Sequence, residues 1–187
     1  GMRFQFSDPV IENCQFVNNG TTNNGFAMTM RSDAFPKLRN NSAWGNGRDA
    51  IAVFGSSFNR TGAWPRDGLP YTIVEDIYIN AGKALTIESG VVVQFQDPDD
   101  ALIVDGTLKA QGIRFTSDDA AKKPGQWEGI YFRDTADDAA SELEDCQIEY
   151  GGANAEGQLA LYSASPRVLK CVITQSVSDG IHANNAS

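Results

Sequence analysis

Three carboxylates fall within one short turn at Asp97-Pro98-Asp99-Asp100. Calcium collects about six to eight oxygens from groups of this kind, so Asp97, Asp99 and Asp100 form a candidate metal site. Asp118-Asp119 and Asp134 with Asp137-Asp138 add further acidic pairs. The spacing is not that of a helix–loop–helix calcium loop, and acidic runs at turns also serve simply to solvate a surface. Calcium is the single cofactor raised by these residues. His182 is the one histidine, set in Ser178-Asp179-Gly180-Ile181-His182, and Asp-Gly before a strand is ordinary turn chemistry. No catalytic residue is assigned. Among the tryptophans, Trp64 lies between two prolines and two glycines and is expected to be exposed, as a ring that stacks on sugars. Trp44, followed by Gly-Asn-Gly, is the second such candidate. Trp127 leads into an apolar strand and is expected to pack against the body of the protein.

The elements that would hold these groups are read best from Tyr71 to Ser117. There Leu85 and Ile87 flank Thr86, Val91 and Val93 flank Val92, and Leu108 and Ala110 flank Lys109. Alternation over so few residues marks half-buried strands. The breaks between them contain Gly, Asn or Asp, which accept turn conformations, and none is long enough for a helix. Leu85 to Leu102 and Ile113 to Ile130 are each separated by seventeen residues, while Phe26 to Ile51 and Cys146 to Cys171 are separated by twenty-five. Short strands at a recurring period indicate a solenoid in which every turn adds a rung to one core. A period in the twenties gives a three-sided coil of three strands and three bends.

The three cysteines fit the same pattern. Pro9 and Cys14 share a frame with Pro166 and Cys171: proline, an apolar residue two later, cysteine five later, an apolar residue seven later. Cys146 fits without the proline, and Asn41 takes the cysteine place after Pro36. The cysteines show no metal spacing. A thiol that recurs at one place in a repeat is expected to be a small, buried, unlinked rung, with Cys146 and Cys171 side by side in successive coils.

A chain of 187 residues can bury a large core. Its net charge of −9 disfavours nucleic acid and anionic membrane as partners, since both need clustered Lys and Arg. There is no run of eighteen apolar residues, so no membrane-spanning helix is expected. Gly1-Met2 reads as the scar of a removed tag, with any leader ahead of it already cut away. Asn19, Asn40, Asn59 and Asn185 open glycosylation sequons that matter only in a eukaryotic secretory host. The expected layout is a first segment over residues 3–58, a loop over 59–70, and a second segment over 71–187. Both ends fall inside recognisable repeats, so an uncapped coil and end-to-end pairing with another copy are expected.

These repeats resemble the right-handed parallel β-helix of the pectate-lyase-like superfamily. The likeness lies in LTIESGVVVQF (85–95), LIVDGTLKAQG (102–112), IRFTS (113–117), PGQWEGIYF (124–132) and the Pro-x-x-x-x-Cys or Asn coils. In particular they resemble non-catalytic repeat regions of large extracellular bacterial proteins. The resemblance implies an all-β fold of roughly eight coils, stacked Asn and Cys ladders, and a secreted or cell-surface location. Asp179-Gly180-Ile181 is similar to a segment of polygalacturonases, but the Asp-Asp pair and Gly-His-Gly that accompany it there are missing. Lys109, Arg114, Lys122 and Arg133 are spread over separate strands and corners with no evident acidic partner. The favoured expectation is a structural or adhesive module that binds a carbohydrate or a protein along one sheet face. The alternative is a truncated or degenerate polysaccharide lyase or hydrolase.

Overall fold

The chain winds as a parallel β-helix of about seven turns. The computed structural model describes residues 1–187 apart from 6, 21, 23, 24, 56, 155, 186 and 187. The sequons at Asn19 and Asn185 end on Thr21 and Ser187, outside the described residues. Among the described residues there is no helix.

In chain order the strands begin with β1 (Met2–Phe4), β2 (Val10–Glu12), β3 (Gln15–Val17), β4 (Phe26–Arg31), β5 (Lys37–Arg39), β6 (Ser42–Trp44) and β7 (Arg48–Phe54). From there three strands make each coil: β8 (Ser57–Phe58), β9 (Gly62–Trp64) and β10 (Tyr71–Ile73), then β11 (Ile77–Ile79), β12 (Ala84–Ile87) and β13 (Val92–Phe95). The next are β14 (Ala101–Val104), β15 (Thr107–Gln111) and β16 (Arg114–Ser117), followed by β17 (Gly129–Phe132), β18 (Glu142–Glu144) and β19 (Gln147–Glu149). The last coil has β20 (Gly157–Tyr162), β21 (Arg167–Leu169) and β22 (Val172–Thr174), and β23 (Asp179–Asn184) begins another.

Every third strand stacks. The long sheet has eight strands in the order β1-β4-β7-β10-β13-β16-β19-β22. A second side has six, β23-β20-β17-β14-β11-β8, and a third has five, β21-β18-β15-β12-β9. All pairs are parallel, which suits a structure whose coils lie about 4.8 Å apart. Along the long sheet Ile51, Tyr71, Val93, Phe115, Ile148 and Ile173 are successive partners, at steps of 20, 22, 22, 33 and 25 residues. The Cys146-to-Cys171 period is therefore a true coil. The seventeen-residue spacing is not, because Leu85 stacks on Leu108 in one sheet and Leu102 on Ile130 in another. Phe26 likewise pairs with Arg48, across a register shift, and not with Ile51.

One corner explains the repeated frame. Between the third side and the long sheet in five coils, and between β2 and β3 and between β5 and β6 in the first two, Asn13, Asn40, Gly68, Gly90, Gly112, Asp145 and Lys170 all have positive φ, from 51° to 85°. A left-handed residue turns the chain sharply there, and Asn, Asp and Gly take that conformation most readily. In six of the seven coils one residue then remains before the next strand: Cys14, Asn41, Val91, Ile113, Cys146 or Cys171. Asn41 Nδ2 donates to the Ile11 carbonyl of the preceding coil at 2.8 Å. The thiols of Cys146 and Cys171 do the same toward Ala110 and Leu143, at 3.3 and 3.4 Å. All three thiols are free. Cys146 is buried, Cys171 half-buried and Cys14 exposed, so the expectation of a buried rung holds for Cys146, is met only in part by Cys171 and fails for Cys14, which lies in the outermost coil.

The stretch 59–70, expected as a loop between segments, carries β9, which pairs with β12. The long sheet passes across it without a break, since β10 pairs with both β7 and β13. Its tryptophan is also corrected. Trp64 is fully buried, stacked on Tyr71 with ring centroids 5.0 Å apart. It stands at the inward-facing place in β9 opposite Ile87, so strand parity overrides the turn-rich composition around it. No described helix is long and apolar enough to cross a membrane.

Candidate functional site

The outer face of the long sheet carries a groove and a cluster of interacting charged side chains. Parity decides which they are, because alternate residues of a strand face opposite ways. Ile51, Val53, Tyr71, Ile73, Val93, Phe95 and Phe115 point into the core. The residues between them face outward, and register lines up Thr29, Ala52, Thr72, Gln94 and Thr116 as one row.

At one end of this face the floor is apolar. Phe26, Ala50, Ala52 and Val74 form a cluster separate from the main core. Arginine side chains cover its rings: Arg3 lies 4.7 Å from the centre of the Phe54 ring and Arg48 5.5 Å from that of Phe26. Further along, Arg48, Asp49, Thr72, Gln94, Gln96, Asp118 and Asp119 border an open groove of about 650 Å³. Arg48 and Asp118 form an ion pair across it.

Beyond the groove stands a charged cluster. Glu149 is 3% exposed and accepts from Arg114 Nε at 2.7 Å, Thr116 Oγ1 at 3.0 Å and Gln147 Nε2 at 2.7 Å. Lys122 folds back from the following corner and donates to the Ser117 carbonyl. Burial holds its ammonium below the usual lysine range, and the Arg114 guanidinium pushes the same way. Two cations around one buried anion leave a locally positive spot on an acidic protein. The expectation that Arg114 and Arg133 lack acidic partners is overturned, since Arg133 pairs with Asp105. Thirty-five residues separate Arg114 from Glu149, and only coil stacking brings them together.

The acidic turn is used differently from the expectation. Asp100 is 4% exposed, and its Oδ2 accepts the backbone N–H groups of Gln96 and Asp97 at 3.0 and 2.8 Å. Asp97 accepts from the Gln96 amide at 3.0 Å, and Asp99 from Asn154 at 2.8 Å. Each carboxylate is thus committed to closing or tying its own corner. Among the described residues no group of three or more His, Cys, Asp or Glu side chains converges on a point that could hold a metal ion.

Trp44 is 46% exposed, on the small β3–β6 sheet, and does not line the groove. Trp127 is buried as expected. The aromatic and amide groups that the structure gathers, Phe26, Phe54, Gln94 and Gln96, were missed by looking for tryptophan in loops. For Phe54, Gln94 and Gln96 the signal was present as the outward alternation of β7 and of β13 with the residue after it, whereas Phe26 of β4 is turned outward by a register shift that alternation does not reveal. His182 Nε2 lies 2.8 Å from a Glu156 carboxylate oxygen, in the last coil and away from the groove. Compared with known proteins, the chain matches no family model, no curated protein and no solved structure.

Proposed function

We propose that the protein is a glycan-binding module of a secreted or surface protein, holding a polysaccharide chain along the outer face of the long sheet. The observation that carries this reading is the continuity of the groove with the Phe26–Phe54 floor. Sugar rings offer apolar faces that rest on aromatic rings, and hydroxyls that pair with amides and carboxylates. Thr72, Gln94 and Gln96 supply neutral donors and acceptors, and the Arg48–Asp118 pair supplies charged ones. A single row of such groups, repeated at the coil spacing, suits a linear polymer. Isothermal titration with neutral and uronate oligosaccharides tests this. Saturable binding that weakens about tenfold in both Phe54→Ala and Gln94→Ala is expected. Binding by none of the oligosaccharides, or binding indifferent to both substitutions, would sink the proposal.

A second reading is favoured by one specific cluster. Arg114, Lys122 and Glu149 place a lysine of lowered pKa beside a guanidinium and a carboxylate, the kinds of group that abstract and return protons. That suits a degenerate polysaccharide lyase of the pectate-lyase-like type. Release of unsaturated product that disappears in Lys122→Ala would select it over the binding module.

A further inference from the structure

The opposite, six-stranded side has an outer face of a different character. Register places Tyr78, Ile103, Tyr131, Ala160 and His182 in one outward row. Tyr162 joins it, with its ring 6.2 Å from Tyr131 and 6.1 Å from His182. Along the leading edge of the same strands run carboxylates. Asp76 precedes β11 and caps the Ala101 N–H at 3.0 Å. Glu128 precedes β17 and shares a hydrogen bond with the Tyr131 hydroxyl. Asp99 stands exposed at the corner between them. A recess of about 640 Å³ opens beside Asp76, Tyr78 and Asp99.

We infer that this face docks an extended basic segment of a partner protein, its Lys or Arg side chains seated between Asp76, Asp99 and Glu128 and lying over Tyr78, Tyr131 and Tyr162. Three observations carry the assignment. First, the face is complementary to a cation in two ways at once, because carboxylates attract it and tyrosine faces bind it through the ring quadrupole. The protein already makes such a contact there: the Arg133 guanidinium lies 5.6 Å from the centre of the Tyr78 ring and pairs with Asp105. Second, the surroundings of Glu128 oppose its negative charge. Burial holds the Glu128 carboxyl above its usual range, and Asp76 and Asp99 add to the effect. An arriving cation relieves that repulsion. Third, the alternatives fit less well. The carboxylates do not converge on a metal-sized point. The Tyr131 and Tyr162 rings are inclined at 64°, so they form no flat shelf for a pyranose. A second copy of this chain carries the same net charge of −9 and would be repelled. An extended segment also matches a face built from parallel rows.

The test uses a fluorescent hexa-arginine peptide, with neutral Gly/Ser and hexaglutamate peptides as controls, read by polarisation at physiological salt. Saturable binding of hexa-arginine alone is expected. It should weaken about fivefold in Glu128→Gln and in Tyr131→Leu, and persist in Tyr131→Phe, which keeps the ring. Asp137→Asn, at the corner that follows β17, and Gln94→Ala, in the groove, should bind like the wild type. Melting curves identify a variant that fails to fold, in which case Tyr162→Leu replaces Tyr131→Leu. Absence of saturable binding would overturn the proposal. So would an equal loss in Asp137→Asn, which signals diffuse charge, or full binding by Tyr131→Leu. Displacement of the peptide by millimolar calcium with one-to-one metal uptake would also overturn it, by making the site a metal site.

Discussion

The indole of Trp127 lies face to face on the ring of Phe95, with centroids 4.0 Å apart and planes 7° from parallel. Its Nε1–H donates to the Glu149 carbonyl at 2.8 Å. One buried residue thereby joins β13 to β19, the two strands that flank β16. The residue closes the core at the corner where the coil is longest, the 33-residue step from Phe115 to Ile148.

Trp127→Ala is expected to cost about 3–5 kcal/mol, the range for deleting a large buried aromatic. Trp127→Phe keeps most of the stack but leaves the Glu149 carbonyl unpaired, for a loss of about 1–3 kcal/mol. Urea unfolding of the two variants checks the order. Equal midpoints for both would show that the stack contributes little.

Gln158 is fully buried, and its Oε1 accepts the Gly151 N–H at 3.0 Å while its Nε2 donates to the Thr174 carbonyl at 3.0 Å. Gln158→Leu has a similar volume but strands a donor and an acceptor, so a loss of about 2–4 kcal/mol is expected. Hydrogen exchange should locate the damage at β19 and β22. Wild-type protection in both strands would refute the linkage.

Burial raises the Asp100 carboxyl to about 6, whereas an unfolded aspartate titrates near 4. The folded state therefore holds this proton more tightly than the unfolded one. Stability from this group is greatest below pH of about 4, falls as pH rises through about 6, and stays low above that. Asp100→Asn removes the charge and retains an oxygen for the Gln96 and Asp97 N–H groups. It should gain about 2 kcal/mol near neutral pH, shrinking toward zero at pH of about 4. A pH-independent difference between the two proteins would contradict the burial argument.

The thiols should separate by environment. Burial pushes Cys146 up to about 11, with Cys171 acting in the same direction, so very little thiolate forms at neutral pH. Labelling by a thiol reagent is expected to modify Cys14 first, Cys171 later and Cys146 only on unfolding. Mass mapping of the labelled peptides gives the order, and early loss of Cys146 would refute its burial.

The corner column was legible because its chemistry is local. A left-handed residue, then a single residue before the next strand, leaves the spaced frame around Cys14, Asn41, Cys146 and Cys171. The phase between sides was not legible. Leu85 and Leu102 alternate equally well, yet lie in different sheets, and alternation carries no information about which strands stack. Composition also misplaced Trp64, since prolines and glycines report turns and not the direction of a side chain. The groove cluster was the least readable part, because Arg114 meets Glu149 only after a full coil has been laid down between them.

The recurring left-handed corner makes the molecule a ruler. Asp145 and Lys170 occupy equivalent joints, and Cys146 and Cys171 follow them in equivalent places. Excising residues 146–170 reconnects Asp145 to Cys171 with the turn geometry unchanged, and duplicating that span inserts one more rung. The length of such a protein is therefore counted in whole steps of about 4.8 Å. Features on its two outer faces shift along the axis together by that step, and distances between ligands on them change in integers.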